Sequence, residues 1–180
     1  MKTLVSKWLK YRLARTGGLL LIIAAVAATI AWSGPSEARI KLEGAWIATT
    51  DNGARSLVTY SPTDPSGQRA IFRNQMVWPA SVLASLGLDA VTDEVAEEFV
   101  TENGTSQYHG IWYGLAGGNI VLIFIDDSVI TRESPTYCTI QHTIATYLAS
   151  ADADNDGYPD PGTTPVATSS VTSIGKRVTR

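Results

Sequence analysis

The chain is poor in the residues that build cross-linked or catalytic centres. Its 180 residues hold one cysteine, Cys138, and two histidines, His109 and His142. A single Cys excludes an internal disulfide framework and any cysteine-built zinc site. No Cys lies near the N-terminal segment, so a lipidated N-terminus is excluded as well. Charge is scarce too, at 17% Asp, Glu, Lys and Arg, against about 25% in an ordinary soluble domain. The net charge of −3 lacks the basic excess of a nucleic-acid binder. No sequence-local Ser, Cys or acid constellation accompanies either histidine, so no catalytic residue is named and the chain leans away from enzymes.

What is present begins with two unlike pieces. Lys2, Lys7, Lys10, Arg12 and Arg15 form a positive start, followed by 14 residues (19–32) interrupted only by Thr29. Gly34 and Pro35 stop a helix, and Ser36 and Ala38 provide the small residues of an export cleavage site. Residues 1–38 therefore read as a signal peptide cut after Ala38, with an uncleaved membrane anchor as the alternative. Either way the body is expected outside the cytoplasm, because the positive end stays inside. The membrane is expected to touch this protein only through that segment. Removing residues 1–38 takes five of the 14 basic residues and one of the 17 acids, leaving 9 against 16 and a net charge of −7.

The body reads as all-β. Segments rich in Val, Ile, Thr and Tyr alternate with Gly, Pro, Asn and Asp. Candidate strands span 41–50, 56–61, 69–75, 95–102, 106–115, 119–125, 128–133 and 137–149, with a further one at 170–178 that is otherwise a disordered tail. Asp51-Asn52-Gly53 and Gly117-Gly118-Asn119 are hairpin signals. Asp126-Asp127 reads as the end of one strand, and the acidic run 93–102 as a solvated strand edge. Residues 120–125 are apolar on both faces, as in a strand covered on both sides. A short helix fits 79–88, where Val82, Leu83, Leu86 and Leu88 recur. About eight strands with short connections predict an antiparallel up-and-down barrel, with a β-sandwich as the alternative. The expected divisions are 1–38, a barrel at 39–150, and an acidic loop with a strand or tail at 151–180. His142 and Cys138 share an apolar face of 137–149, which predicts a hydrogen-bonded core histidine and a small buried thiol.

Lys41, Gly44 and Trp46 form a K-x-x-G-x-W pattern at the start of the body. It resembles the first-strand motif of lipocalins. The resemblance implies an eight-stranded barrel whose closed end is plugged by Trp46, with a pocket for a small apolar ligand. Arg177 is a candidate to lie across that Trp.

The second motif is acidic. Asp152, Asp154, Asp156 and Asp160 occupy positions 1, 3, 5 and 9 of a loop with Gly157 at position 6. Calcium takes six to eight oxygens, and alternate Asp side chains plus the Tyr158 carbonyl can supply them. Thr163 stands where an EF-hand needs Glu, and Pro159 and Pro161 forbid its exiting helix. The run resembles one thrombospondin type 3 calcium repeat, which implies Asp152, Asp154, Asp156 and Asp160 as ligands. The combined expectation is an exported binding module with a small apolar ligand and a calcium-stabilised loop. Its alternative is a structural or interaction protein of the cell envelope without a ligand cavity.

Overall fold

The computed structural model describes residues 42–101 and 105–178. The signal or anchor segment and Lys41 lie outside the described residues. Nine strands follow in order: β1 (Ala45–Thr50), β2 (Arg55–Pro62), β3 (Arg69–Val77), β4 (Ala90–Val91), β5 (Glu94–Val100), β6 (Thr105–Ala116), β7 (Asn119–Ser134), β8 (Tyr137–Leu148) and β9 (Ala167–Arg177). A six-residue helix, α1 (Ala80–Ser85), lies between β3 and β4.

Strand pairing closes the sheet on itself. Starting at β1, the ring runs β2, β3, β5, β6, β7, β8, β9 and back to β1, all antiparallel. This is the up-and-down barrel of eight strands, not a sandwich. The two-residue β4 is the ninth strand, and it extends the β5 side of β6. Between them Thr92 breaks the register but keeps contact, its N–H donating to the Tyr113 carbonyl at 2.9 Å. The segment at 170–178 is therefore not a tail: β9 supplies the closing ladder to β1. The turns follow their residues, with Gly53 at φ 87° between β1 and β2, and Gly117 and Gly118 at 57° and 77° between β6 and β7.

Two expectations about acidic residues are corrected. Asp126-Asp127 does not end a strand; β7 runs through it from Asn119 to Ser134. Asp126 points inward and is satisfied by side chains from three strands, so its turn preference is overridden. The run 93–102 is not simply a solvated edge either. Alternation along β5 turns Glu94, Ala96 and Glu98 into the barrel, where all three are buried.

Closure gives the barrel one plugged end. Leu42 is buried there and its N–H donates to the Gly67 carbonyl at 2.8 Å. Trp46 sits above it, with the guanidinium carbons of Arg132 and Arg177 each 5.9 Å from its ring. Arg177 also donates to the Glu43 carbonyl at 2.9 Å. Arg132 pairs at 2.7 Å with Glu98, both almost fully buried, and donates to Ser106. Above this layer pack Val58, Phe72, Tyr108, Ile130, Cys138 and Ile140, with the Phe72 and Tyr108 rings edge to face at 4.9 Å. The other half of the core holds Leu88, Ile144 and the stacked pair Trp112 and Phe124, 5.2 Å apart. Met76, Trp78 and Leu83 pack against it, so the α1 segment covers this end. Ile123 and Ile125 on the outer face of β7 are buried as well, as the two-sided apolar pattern predicts.

Gly175 on β9 lies opposite Cys138 on β8, and a Cβ there would stand 2.5 Å from the Cys138 sulfur. Gly175→Ala is expected to destabilise the barrel by about 1–3 kcal/mol through overpacking. Adding Cys138→Ala should recover most of the loss, since the two atoms compete for one space. Urea unfolding of the single and double variants checks this; additive losses would contradict it.

Candidate functional site

The predicted metal residues are brought together only in part. Asp152, Asp154 and Asp156 each place a carboxylate oxygen within 4.8 Å of the others. Asp160 is turned away to the loop backbone, accepting from the Ala153 N–H at 3.2 Å. The Tyr158 side chain is exposed, and its N–H donates to Asp156 at 2.8 Å. Asp152 spans the turn, accepting from the N–H groups of Asp156 and Gly157 at 3.0 Å each. The loop is tied to the barrel where the Tyr113 hydroxyl donates to the Gly157 carbonyl at 3.1 Å. Partial burial raises the Tyr113 hydroxyl pKa, and Tyr158, Asp152 and Asp156 add to the effect.

The second constellation lies inside the barrel, around a cavity of about 60 Å³. Its wall is largely apolar, from Ala48, Val58, Phe72, Met76, Ile140 and Ile144, with a polar side built by β3, β5, β6, β7, β8 and β9. His142 is the hub. Its Nδ1 lies 2.7 Å from Asp126 Oδ2, 2.9 Å from the Tyr108 hydroxyl and 3.1 Å from Ser128 Oγ. Its Nε2 lies 2.9 Å from Ser173 Oγ, which in turn sits 2.8 Å from Thr50 Oγ1. Asp126 collects hydrogen bonds from the Tyr108 hydroxyl at 2.8 Å and Ser128 Oγ at 2.6 Å. Tyr108, Ser128 and His142 are register partners across β6, β7 and β8, so one row of the sheet brings these three together. His142 is thus the hydrogen-bonded core histidine the sequence predicts. His109, on the outer face, pairs with Asp127 at 2.7 Å and is exposed.

Ser173, His142 and Asp126 stand in the order of a nucleophile, base and orienting acid. Ser173 is nevertheless 2% exposed and already bonded to Thr50. It also sits within the ladders of β9 to β8 and β1, whose N–H groups are committed to strand pairing and form no oxyanion cradle. The relay fixes the fold of the interior rather than presenting a nucleophile.

Four buried polar atoms on the cavity wall have no partner: Asn74 Oδ1, Glu94 Oε1, Trp78 Nε1 and Trp112 Nε1. Such atoms are few in folded proteins, and each calls for a physical explanation. Glu94 keeps one neutral partner, Asn74 Nδ2, at 2.8 Å. Gly110 opposite it leaves the room, since a Cβ there would collide with Glu94 Oε1. Burial, reinforced by the Asp126 charge, pushes the Glu94 carboxyl up to about 8, while the Asn74 bond pulls the other way. The same burial and the same two acids raise the Tyr108 hydroxyl. Burial likewise pushes the Cys138 thiol up to about 11, leaving it unreactive. Sequence reasoning missed Glu94, Asn74, Asp126 and Ser173; the even alternation of 94, 96 and 98 was the one local signal for the first.

No family model matches the chain, and no curated protein matches it. Among solved structures, a chain described as EF1p2_mFAP2b bound to DFHBI is 18% identical, with 79% of this chain and all of that chain covered and a TM-score of 0.43.

Glu94 makes stability depend on pH with a defined sign. Its folded pKa of about 8 lies above the ordinary 4.5, so the unfolded chain loses the proton first. Folding stability is therefore complete below the ordinary value, falls as pH rises from there to about 8, and levels off above it. The charged and titratable groups facing it are Asp126 on β7, Tyr108 on β6 and, through Asp126, His142 on β8. Urea unfolding between about pH 5 and pH 9 should show this decline in the parent and a flatter profile in Glu94→Gln. An unchanged profile in the variant would contradict the assignment.

Proposed function

We propose that this chain is an exported β-barrel binding module that holds a small, largely apolar ligand inside the barrel. The observation that carries the reading is the interior cavity, apolar over most of its wall yet lined by four buried polar atoms without partners. Each such atom costs about 1–3 kcal/mol, and four of the six found among the described residues belong to residues lining this cavity. Further support comes from the end where Trp46 is buried, with Gly44 at φ 87° beside it in the chain and the Arg177 guanidinium carbon 5.9 Å from its ring. The cavity volume of about 60 Å³ is far below the ~300–1,000 Å³ of drug-sized sites. The ligand is therefore a molecule of a few heavy atoms. Export rests on the basic and apolar residues 1–38.

Calcium in the 152–160 loop belongs to the same reading. Asp152, Asp154 and Asp156 supply carboxylates from one side, and Asp160 joins them only by leaving the Ala153 N–H. A second reading, a structural or interaction module of the cell envelope, is favoured by the apolar outer face, where Ile47, Leu57, Ile71, Val95 and Phe99 are exposed.

Two experiments separate these readings. Small probes such as 1-propanol and acetone should shift the NMR signals of Met76, Trp78, Trp112 and Ile144, and silence at those residues favours the structural module. For the loop, millimolar calcium should stabilise the protein relative to chelator by roughly 1–2 kcal/mol if affinity is in the extracellular range. Thermal unfolding reads this as a rise in Tm that Asp154→Asn removes. Equal melting with and without calcium would leave the loop a plain acidic turn.

A further inference from the structure

The interior cavity carries an imbalance that its own walls do not resolve. Glu94 and Asp126 both line it, each 1% exposed, and the one Arg on its wall, the exposed Arg55, forms an ion pair with neither. Asp126 is answered by Tyr108, Ser128 and His142. Glu94 is answered by one neutral amide. Among the described residues no Lys, Arg or His side chain pairs with it. The buried carboxylate at the plugged end is treated differently: Glu98 has the Arg132 guanidinium at 2.7 Å. A buried carboxylate without a counter-charge is costly. It is all the more so where Glu94 Oε1 and Asn74 Oδ1 are buried acceptors without donors.

These two acceptors belong to directly paired residues of β3 and β5, whose side chains are already joined by the Asn74 bond. They ask for the same thing, a group that donates hydrogen bonds and carries positive charge. The rest of the wall suits such a group, since Phe72, Tyr108, Trp78 and Trp112 contribute aromatic rings that attract cations. A hydrocarbon would leave both acceptors unmet, and an alcohol offers one donor. A primary ammonium offers three donors and the missing charge, though no acceptor for the Trp78 and Trp112 N–H groups.

We propose that the barrel cavity binds a compact primary ammonium, its N–H groups donating to Glu94 Oε1 and Asn74 Oδ1 and its short alkyl body lying on the apolar wall. The proposal rests on the reading of the barrel as a small-ligand module and names the chemistry of the ligand. The raised proton affinity of Glu94, caused by burial and the Asp126 charge, agrees with a carboxylate that has no cationic partner.

The test is a titration of the full chain with n-propylammonium chloride and with 1-propanol, near neutral pH and at constant ionic strength. Tryptophan fluorescence is the readout, because Trp78 and Trp112 line the cavity. The ammonium is expected to bind about tenfold or more tightly than the alcohol of equal size, as a charge-assisted bond requires. In Glu94→Gln the two affinities should fall within about twofold of each other while 1-propanol still binds. The wild-type ratio does not depend on how the variant folds, and amide shifts induced by the ammonium should centre on Asn74 and Glu94. Equal binding of both probes to the parent, or a preference that survives Glu94→Gln, overturns the ammonium proposal and leaves the small-ligand reading standing. Failure of both probes to bind overturns the two together.

Discussion

The structure depends on the pairing of β9 with β1. That ladder, from Trp46 opposite Arg177 to Thr50 opposite Ser173, turns an open antiparallel sheet into a ring without free edges. Once the ring is closed, every second side chain of each strand is committed to one shared interior. Apolar residues fill it easily. Polar residues that alternation turns inward must find partners across the barrel, because the backbone around them is already spent on the ladders.

The interior solves that problem by layers. At the plugged end Arg132 pairs with Glu98 and two guanidinium groups stand beside Trp46, though Glu98 Oε2 and Arg132 Nε keep no hydrogen-bond partner. In the middle, a hydrogen-bonded network joins Asp126, Tyr108, Ser128, His142, Ser173 and Thr50 across five strands. Beside the cavity the solution is incomplete, with Glu94 and Asn74 each keeping an unmet acceptor. The same inward alternation thus produces structural pairs, a polar scaffold and an open binding position. What differs is whether a partner strand offers a matching group.

Much of this was legible in the sequence. The β class, the barrel of about eight strands, the short helix and the hairpin glycines all follow from alternation and turn chemistry, which act over a few residues. His142 and Cys138 were placed correctly because their neighbours Ile140 and Ile144 mark a buried face. The acids were misjudged for one physical reason. Asp and Glu are costly to bury alone, so local reasoning puts Asp126 in a turn and Glu94 at an edge. The groups that lower the cost lie far along the chain: 18 residues from Asp126 to Tyr108, 20 from Glu94 to Asn74 and 34 from Glu98 to Arg132. Loop geometry was equally beyond reach, since spacing cannot say that the Asp160 carboxylate turns to the Ala153 N–H rather than toward its neighbours.

By itself the sequence determined the scarcity of thiols and charge, the unlike N-terminal piece, the strand periodicity and the acidic loop, because these are properties of composition and of contacts between near neighbours. The tertiary structure alone decided that residues 167–177 close the ring, that one unbroken strand carries Asp126, and that Glu94 lines a cavity without an ion-pair partner among the described residues. Those outcomes depend on which residues register across strands distant in the chain, and pairing register is a property of the closed barrel as a whole.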